Sequence, residues 1–266
     1  MLHPIERRDR ADIVEMAASC GFGYLADSIL EGRMGEVFAD RSTMPRVAVL
    51  EVRNRLFGIA MVLGDASCSA AEGYVGGIPA ATEVFCGSPA WNALLCRVHG
   101  DRAVERPRYV LTGRSLRADR LEVLARGIPD GYKLVAVDGE LADRLLTEEE
   151  WSDSGHGINF EDSSDFVENG FGFCLLCDDE IVSAASTFAV SKRGIEIQIN
   201  TRADHRRRGL AIVVGAALVA DSMHKGLDPC WDAANDASVA LARRLGFEPA
   251  EEHTTVLILP DGEASH

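Results

Sequence analysis

With 266 residues, 47% hydrophobic and 26% charged, the chain is long enough for one large globular domain or two smaller ones around a sizeable core. A formal net charge of −15 argues against a general nucleic-acid binder, whose phosphate contacts need a basic surface, and leans faintly toward a cationic partner such as an amine. No uninterrupted apolar run of about 18 residues occurs, so no membrane span is expected; the charged start MLHPIERRDRADIVEM lacks a signal-peptide core, and seven cysteines, an odd number, predict reduced thiols in a cytoplasmic protein.

Along the chain, Asp12, Ile13, Met16, Ala17 and Cys20 repeat with a loose helical period that Gly21-Phe22-Gly23 breaks, and Tyr24–Gly35 predicts a second helix. RVAVLEV (46–52) and LFGIAMVL (56–63) read as strands joined by a turn at Arg53-Asn54-Arg55. The Gly/Ala/Ser-rich stretch 64–77 reads as loop, and ATEVF (81–85) as a short strand. Ser88-Pro89 opens a helix through Trp91, Leu94 and Leu95. RPRYVLT (106–112) is a strand, Leu116–Arg126 a helix, and Gly127-Ile128-Pro129-Asp130-Gly131 a breaker cluster that sets a domain boundary at 127/128. The first half contains no phosphate loop, no G-x-S-x-G and no H-E-x-x-H, and reads as a partner or substrate-side domain.

The second half predicts strand 132–137, helix 140–149, a short helix 163–169 capped by Ser163 or Ser164, strand 171–177, a turn at Asp178-Asp179-Glu180 and strand 181–190. Next, Ile195–Thr201 alternates: Ile195, Ile197 and Ile199 point one way, Glu196, Gln198 and Asn200 the other. From Gly209 the pattern turns helical, with Leu210, Val213, Val214, Ala217 and Leu218 on one stripe. A strand at 229–233, a helix opening at Asn235 and ending at Leu245-Gly246-Phe247, and a strand at 254–259 complete the chain. The order implies a mixed, twisted sheet with helices on both faces.

The junction between strand 195–201 and the long helix is the informative stretch. A helix N-terminus leaves backbone N–H groups without partners and favours negative charge. Arg206, Arg207 and Arg208 add positive charge, and the small Gly209 and Ala211 let a ligand approach the backbone. Arginine runs on their own are usually just solvated; the small residues between strand and helix favour an anion site, with a pyrophosphate as the fitting guest.

Here Arg206-x-x-Gly209-x-Ala211 resembles the R/Q-x-x-G-x-G/A signature of the GNAT superfamily of acyl-coenzyme A-dependent acyltransferases, and Asn235-Asp236-Ala237-Ser238 followed by Leu245-Gly246-Phe247 is similar to that family's N-x-x-A/S … L-G-F/Y block. Pro107-Arg108-Tyr109, residues 132–138, Gly170–Cys174 and Trp231–Asn235 resemble blocks of a two-domain bacterial GNAT subfamily. The resemblance implies an α/β (α+β) chain: a C-terminal GNAT domain, residues 128–266, with a mixed, mostly antiparallel twisted sheet flanked by helices, preceded by a family-specific α+β domain, residues 1–127, that may be read as a degenerate GNAT-like unit. It implies acetyl-CoA as cosubstrate, no metal, and transfer of an acetyl group to an amine of unspecified identity. The coenzyme would lie along Ile199, Asn200 and Thr201 and on Arg206, Arg207, Arg208, Gly209, Leu210 and Ala211, with Asn235 and Ser238 as further contacts. A small-molecule amine is the implied partner, without nucleic acid or membrane; a homodimer is compatible with it.

Such a reaction needs a positioned thioester, a neutral amine, a polarised carbonyl and a proton for the leaving thiolate. Glu196, on the strand where the family often carries a carboxylate, is the candidate base; a purely structural carboxylate is the other reading. Asn235 either caps its helix or bonds the pantetheine arm. Asp232 is either a second cleft carboxylate or half of an ion pair, Trp231 reads as core, and His205 extends the positive field. The position where many relatives carry a proton-donating tyrosine is Ala242, which keeps open an acyl-CoA-binding sensor without catalysis. Cys174-Leu175-Leu176-Cys177 has C-x-x-C spacing, but within a strand its thiols face opposite sides, so it is not read as a metal site.

Overall fold

In the computed structural model, which describes residues 1–18, 20–54 and 56–262, the chain forms two compact units, one of Met1–Arg108 with the C-terminal stretch from His253, the other of Tyr109–Glu252. The elements in order are β1 (His3–Pro4), α1 (Ala11–Ala18), α2 (Gly23–Leu30), β2 (Glu36–Ala39), β3 (Val47–Arg53), β4 (Gly58–Gly64), α3 (Ser69–Val75), β5 (Thr82–Cys86), α4 (Pro89–His99) and β6 (Ala103–Thr112). The chain continues through α5 (Ala118–Ala125), β7 (Lys133–Ala136), α6 (Gly139–Thr147), α7 (Glu149–Ser152), α8 (Ser163–Asn169), β8 (Gly172–Cys177), β9 (Glu180–Val190), β10 (Gly194–Thr201), α9 (Leu210–His224), β11 (Asp228–Ala233), α10 (Asp236–Leu245) and β12 (Glu248–Ile258). Among the described residues no helix is long and apolar enough to cross a membrane.

In the first unit β1, β2, β3 and β4 pair antiparallel in succession, β5 joins β4 in parallel, and residues 255–258 of β12 pair antiparallel with β5. Its core packs Val47, Val49, Ala60 and Val62 of the sheet against Ala71 and Val75 of α3 and Trp91, Leu94 and Leu95 of α4. In the second unit β7, β8, β9 and β10 pair antiparallel in succession, β11 joins β10 in parallel, and residues 109–112 of β6 pair antiparallel with β11. The two units therefore have one topology: four antiparallel strands, a helix, a parallel fifth strand, a helix, and a closing strand taken from the other half of the sequence. An antiparallel meander followed by a parallel crossover through a helix is an unstrained way to build such a sheet.

The sequence boundary at 127/128 and the compact units differ. The units divide at 108/109 and again at 252/253. The reason is α5: Leu121 is fully buried among Ile212, Ala216, Val219 and Ala220 of α9 and Leu245 of α10, which ties the helix to the second unit. Four elements were not legible as such, the two-residue β1 among them. β2 is short; α3 hides in the Gly/Ala/Ser-rich stretch read as loop, where Ala71 and Val75, one turn apart, are fully buried; α7 is one turn long. The turn expected at Arg53-Asn54-Arg55 runs through Asn54, whose side chain accepts from the amides of Leu56 and Phe57; Arg55 lies outside the described residues. The cap of α8 is Asp162, which accepts from the amide of Asp165 at 2.9 Å, and not Ser163 or Ser164.

The single apolar stripe expected of α9 is only half of its buried surface. Leu210, Val213, Val214 and Leu218 pack against β8–β10, while Ile212, Ala216, Val219 and Ala220 pack against α5, α10 and β11. A helix apolar on all sides is one with neighbours on all sides. Where it crosses β10 the side chain shrinks to nothing: a Cβ on Gly215 would stand 3.0 Å from Leu245 Cδ1 and 3.1 Å from Ile199 Cδ1. Gly215→Leu is accordingly expected to lower unfolding free energy by about 1–3 kcal/mol through overpacking; an unchanged urea midpoint would rule out this close approach.

Candidate active site

The site is built where β10 and β11 part. Their parallel register holds for three pairs, Gly194 with Asp228, Ile195 with Pro229 and Glu196 with Cys230, and then ends. β11 stays paired to β6 through Ala233, and β10 stays paired to β9 through Thr201. Residues Ile197–Thr201 thus present one strand edge without a strand partner among the described residues. A bulge accompanies the change: Glu196 faces Ala189 but Ile197 faces Thr187, so Phe188 of β9 is the extra residue. Bulges bend a strand and sharpen its twist.

The alternation read from sequence is present. Ile195, Ile197 and Ile199 pack toward α9, and Gln198 and Asn200 lie on the other face, joined by a 3.0 Å bond from Gln198 Nε2 to Asn200 Oδ1. Glu196 shares that second face and is only 8% exposed. Its register partner Cys230 donates its thiol to the Glu196 carboxylate; burial first, then the charges of Glu196 and Asp232, push that thiol well above its ordinary range. Glu196, Cys230 and the half-buried Asp232 therefore form one acidic patch at the apex of the split. Trp231, on the opposite face of β11, is core: 2% exposed and edge-on to Phe247.

Past β10 the backbone turns through two left-handed residues, Arg207 at φ 62° and Gly209 at φ 84°. Gly209 is the N-cap of α9, without a side-chain cap. The amides of Arg207, Arg208, Gly209, Leu210 and Ala211 donate to no carbonyl among the described residues; the first bond back into the turn is from the amide of Ile212 to Gly209 O. Five adjacent donors at a helix start are an arrangement suited to an anion. The space beside Gly209 is open, since a Cβ there meets nothing within 4 Å.

The three arginines are not equivalent. Arg206 Nε bonds Thr201 O at 3.1 Å, bracing the end of β10. Arg208 bonds the Tyr132 hydroxyl at 2.9 Å and Asp204 O at 3.0 Å. Tyr132 also lies 3.0 Å from His205 Nδ1, so His205 is part of the loop's frame. Arg207 alone of the three is exposed with no partner among the described residues, leaving its charge available. Sequence reasoning missed Tyr132 as the post that holds the loop, for the contact spans |i−j| = 76.

Asn235 caps α10, accepting from the amide of Ser238 at 3.0 Å, and Ser238 Oγ accepts from Trp231 Nε1 at 2.9 Å. The Asn235 oxygen thus closes the start of α10, and the Ser238 oxygen ties that helix to β11. Ala242 is fully buried in the core of α9 and α10, so a tyrosine there would have no room to reach a cleft. Cys174 packs beside α6 and α7 and Cys177 on the α9 side, as opposite-facing residues should. Among the described residues no group of three or more His, Cys, Asp or Glu side chains is arranged to hold a metal ion.

His156 went unnoticed in the sequence. It is wholly buried on the Gln198 face, with Nδ1 2.8 Å from Ser186 Oγ and Nε2 without a partner among the described residues. Ser186 of β9 is the register partner of Gln198 of β10, and Gln198 Nε2 bonds Ser154 O at 2.5 Å, so the 154–156 turn is fastened to β9 and to β10.

The profile of the family described as GNAT acetyltransferase matches residues 23–256. An uncharacterised N-acetyltransferase of Bacillus subtilis (strain 168), YdfB, is 24% identical over 231 residues, covering 83% of this chain and 84% of that protein. The crystal structure of a GCN5-related N-acetyltransferase-like protein from Streptococcus suis 89/1591 superposes with a TM-score of 0.81 at 27% identity, over 92% of this chain and 98% of that one. A tandem GNAT protein from the clavulanic acid biosynthesis pathway shares the fold at a TM-score of 0.58 and 14% identity, over 96% of this chain and 97% of that one.

Burial lowers the pKa of His156 to about 3. An unfolded histidine titrates near 6.5, so between those values the unfolded chain binds a proton that the folded chain excludes. The stability His156 confers is complete above about pH 6.5 and falls as pH drops, by about 2 kcal/mol between pH 6.5 and 5. Urea unfolding at the two pH values should show this extra loss in the wild type and not in His156→Gln; equal losses would mean that the ring is solvated.

Proposed function

The chain belongs to the GNAT acetyltransferase family, and from that premise we propose that this acyltransferase moves an acetyl group from acetyl-coenzyme A to an amine by direct attack in a ternary complex. The observation that carries the reading is the row of five unpartnered amides, Arg207–Ala211, beside the unpaired Arg207 guanidinium. That row suits the coenzyme's pyrophosphate, for which Gly209 leaves room. The open edge of Ile197–Thr201, with Ile199, Asn200 and Thr201 at its far end, suits the two amides of a pantetheine arm, which pair with a strand as a peptide would. The arm then runs toward Glu196. Asn235 and Ser238 fix the start of α10 through one accepted bond each, and keep the Asn235 amide hydrogens and the Ser238 hydroxyl hydrogen as donors for the coenzyme.

Glu196 is the base. It removes a proton from the incoming ammonium, directly or through one water. The amine nitrogen bonds the acyl carbon and the carbonyl electrons move to oxygen; collapse breaks the carbon–sulfur bond as the nitrogen sheds its second proton to solvent, giving the neutral amide. The thiolate leaves with the electron pair and recovers a proton from Glu196 or solvent. Cys230 is a poor proton source because burial and its two carboxylate neighbours hold the thiol protonated. Asp232 and the net charge of −15 favour a cationic small-molecule acceptor, and seven free thiols suit a reducing cytoplasm.

Thiol release from acetyl-coenzyme A in the presence of an amine panel tests this. Glu196→Gln should lower kcat by at least about 10²-fold with coenzyme A affinity changed less than about twofold, the signature of a lost base. Gly209→Val and Arg207→Ala should instead weaken coenzyme A binding about tenfold. Thermal stabilisation by coenzyme A without thiol release from any amine would sink the acyl-transfer reading in favour of a sensor.

A further inference from the structure

The first unit carries a cleft of about 580 Å³ lined by Phe38, Glu51, Arg53, Ala70, Gly73 and Tyr74, among others. Its polar end arises from the β2–β3 register, which sets Glu36 directly opposite Glu51. Two carboxylates in that position repel. Glu51 is only 7% exposed. Arg53, two residues along the same face, answers it with Nε 2.9 Å from Oε2 and Nη2 3.1 Å from Oε1, and its guanidinium also feels Glu36. The Tyr74 hydroxyl donates to Glu51 Oε1 at 2.5 Å, and burial above all keeps that hydroxyl protonated. Glu51, answered by Arg53, is the buried carboxylate of a cleft whose other walls, Met1 and Leu2 among them, are mostly apolar and aromatic.

We propose that this cleft is a binding site for a small amphipathic ammonium ion, its charged head at Glu51 and Glu36 and its apolar body between Phe38, Tyr74 and the Ala70–Gly73 surface of α3. A buried carboxylate with aromatic faces beside it is the chemistry that recognises an ammonium group attached to an apolar body. Arg53 is 50% exposed along its side chain and Glu51 only 8%, so a ligand cation takes the guanidinium's place by replacing a two-pronged bond to a buried carboxylate. The site owes nothing to the amide row of the second unit. In the first unit the corresponding turn, between β4 and α3, carries Asp65, which accepts from the Ser67 amide and hydroxyl and from Arg46, so that turn is already filled by a carboxylate. The first unit thus has the opposite charge preference to the second. An acceptor amine and a regulatory amine share this chemistry.

The test is calorimetric titration of the full chain, without acetyl-coenzyme A, using 2-phenylethylamine and its uncharged counterpart 2-phenylethanol. The amine should bind at least tenfold more tightly than the alcohol, and Glu51→Gln should remove that preference. Gly73→Leu is the control for folding: a Cβ there meets nothing within 4 Å and a helix gains from the change, yet the side chain fills the cleft. It should cost the amine at least tenfold in affinity, and Arg53→Gln should strengthen binding severalfold. Equal affinity for amine and alcohol, no binding of either, or undiminished binding to Gly73→Leu would each overturn the proposal. With acetyl-coenzyme A added, thiol release that Gly73→Leu abolishes marks the bound amine as the acceptor. Binding without its consumption marks it as an effector and leaves the site intact even if no acyl transfer is found.

Discussion

Everything distinctive about the second unit follows from hydrogen bonds that β10 and β11 do not make. After Glu196 and Cys230 the two strands go separate ways, each kept in place by its other neighbour. A sheet interrupted in this way exposes polar backbone that would ordinarily be satisfied, at real cost. Here the cost is offset by α9, which is buried on nearly all sides and clamps β8, β9 and β10 from one side and α5, α10 and β11 from the other. The same helix contributes its uncapped start to the loop after β10. One rigid element therefore holds the split open and aims five amides at its mouth.

The first unit repeats the topology without the split. Its parallel pair, β4 with β5, runs unbroken for five residues, Gly58–Val62 with Thr82–Cys86. Its crossover helix is seven residues long against fifteen, and its turn is acidic where the other is basic. The shared order of strands and helices is what a duplicated ancestor would leave, with the donor-side features kept in one copy. What the first copy offers to chemistry is a cleft on the α3 face and not an opened sheet.

Much of this was legible in the sequence because short-range physics decides it. The period-two run 195–201, the helix from Leu210 and the capping Asn235 each fix their own geometry. The turn at Gly209 into an apolar helix was readable for the same reason, since Gly209 follows an arginine run and opens that helix. What was not legible depends on contacts distant in sequence. Tyr132 bracing Arg208, His156 beneath Ser186, and α5 joining α9 have no local signature. The second apolar side of α9 was hidden because alanines and valines suit a half-exposed helix and a fully buried one alike. The breaker cluster at 127–131 marks a real loop, but loops and unit boundaries coincide only when no closing strand crosses over.

That crossing has a temporal side. The first unit draws residues 255–258 onto β5, and those residues leave the ribosome only after the whole second unit. However quickly residues 1–108 collapse, their sheet keeps a bare edge until residues 255–258 are made, which at about 5–20 residues per second leaves that edge unpaired for many seconds. An exposed edge is a template for wrong partners. The nascent chain must either shield β5 in the meantime or depend on a chaperone to do so, and a ribosome stalled anywhere before residue 255 would release a product with no way to complete its first half.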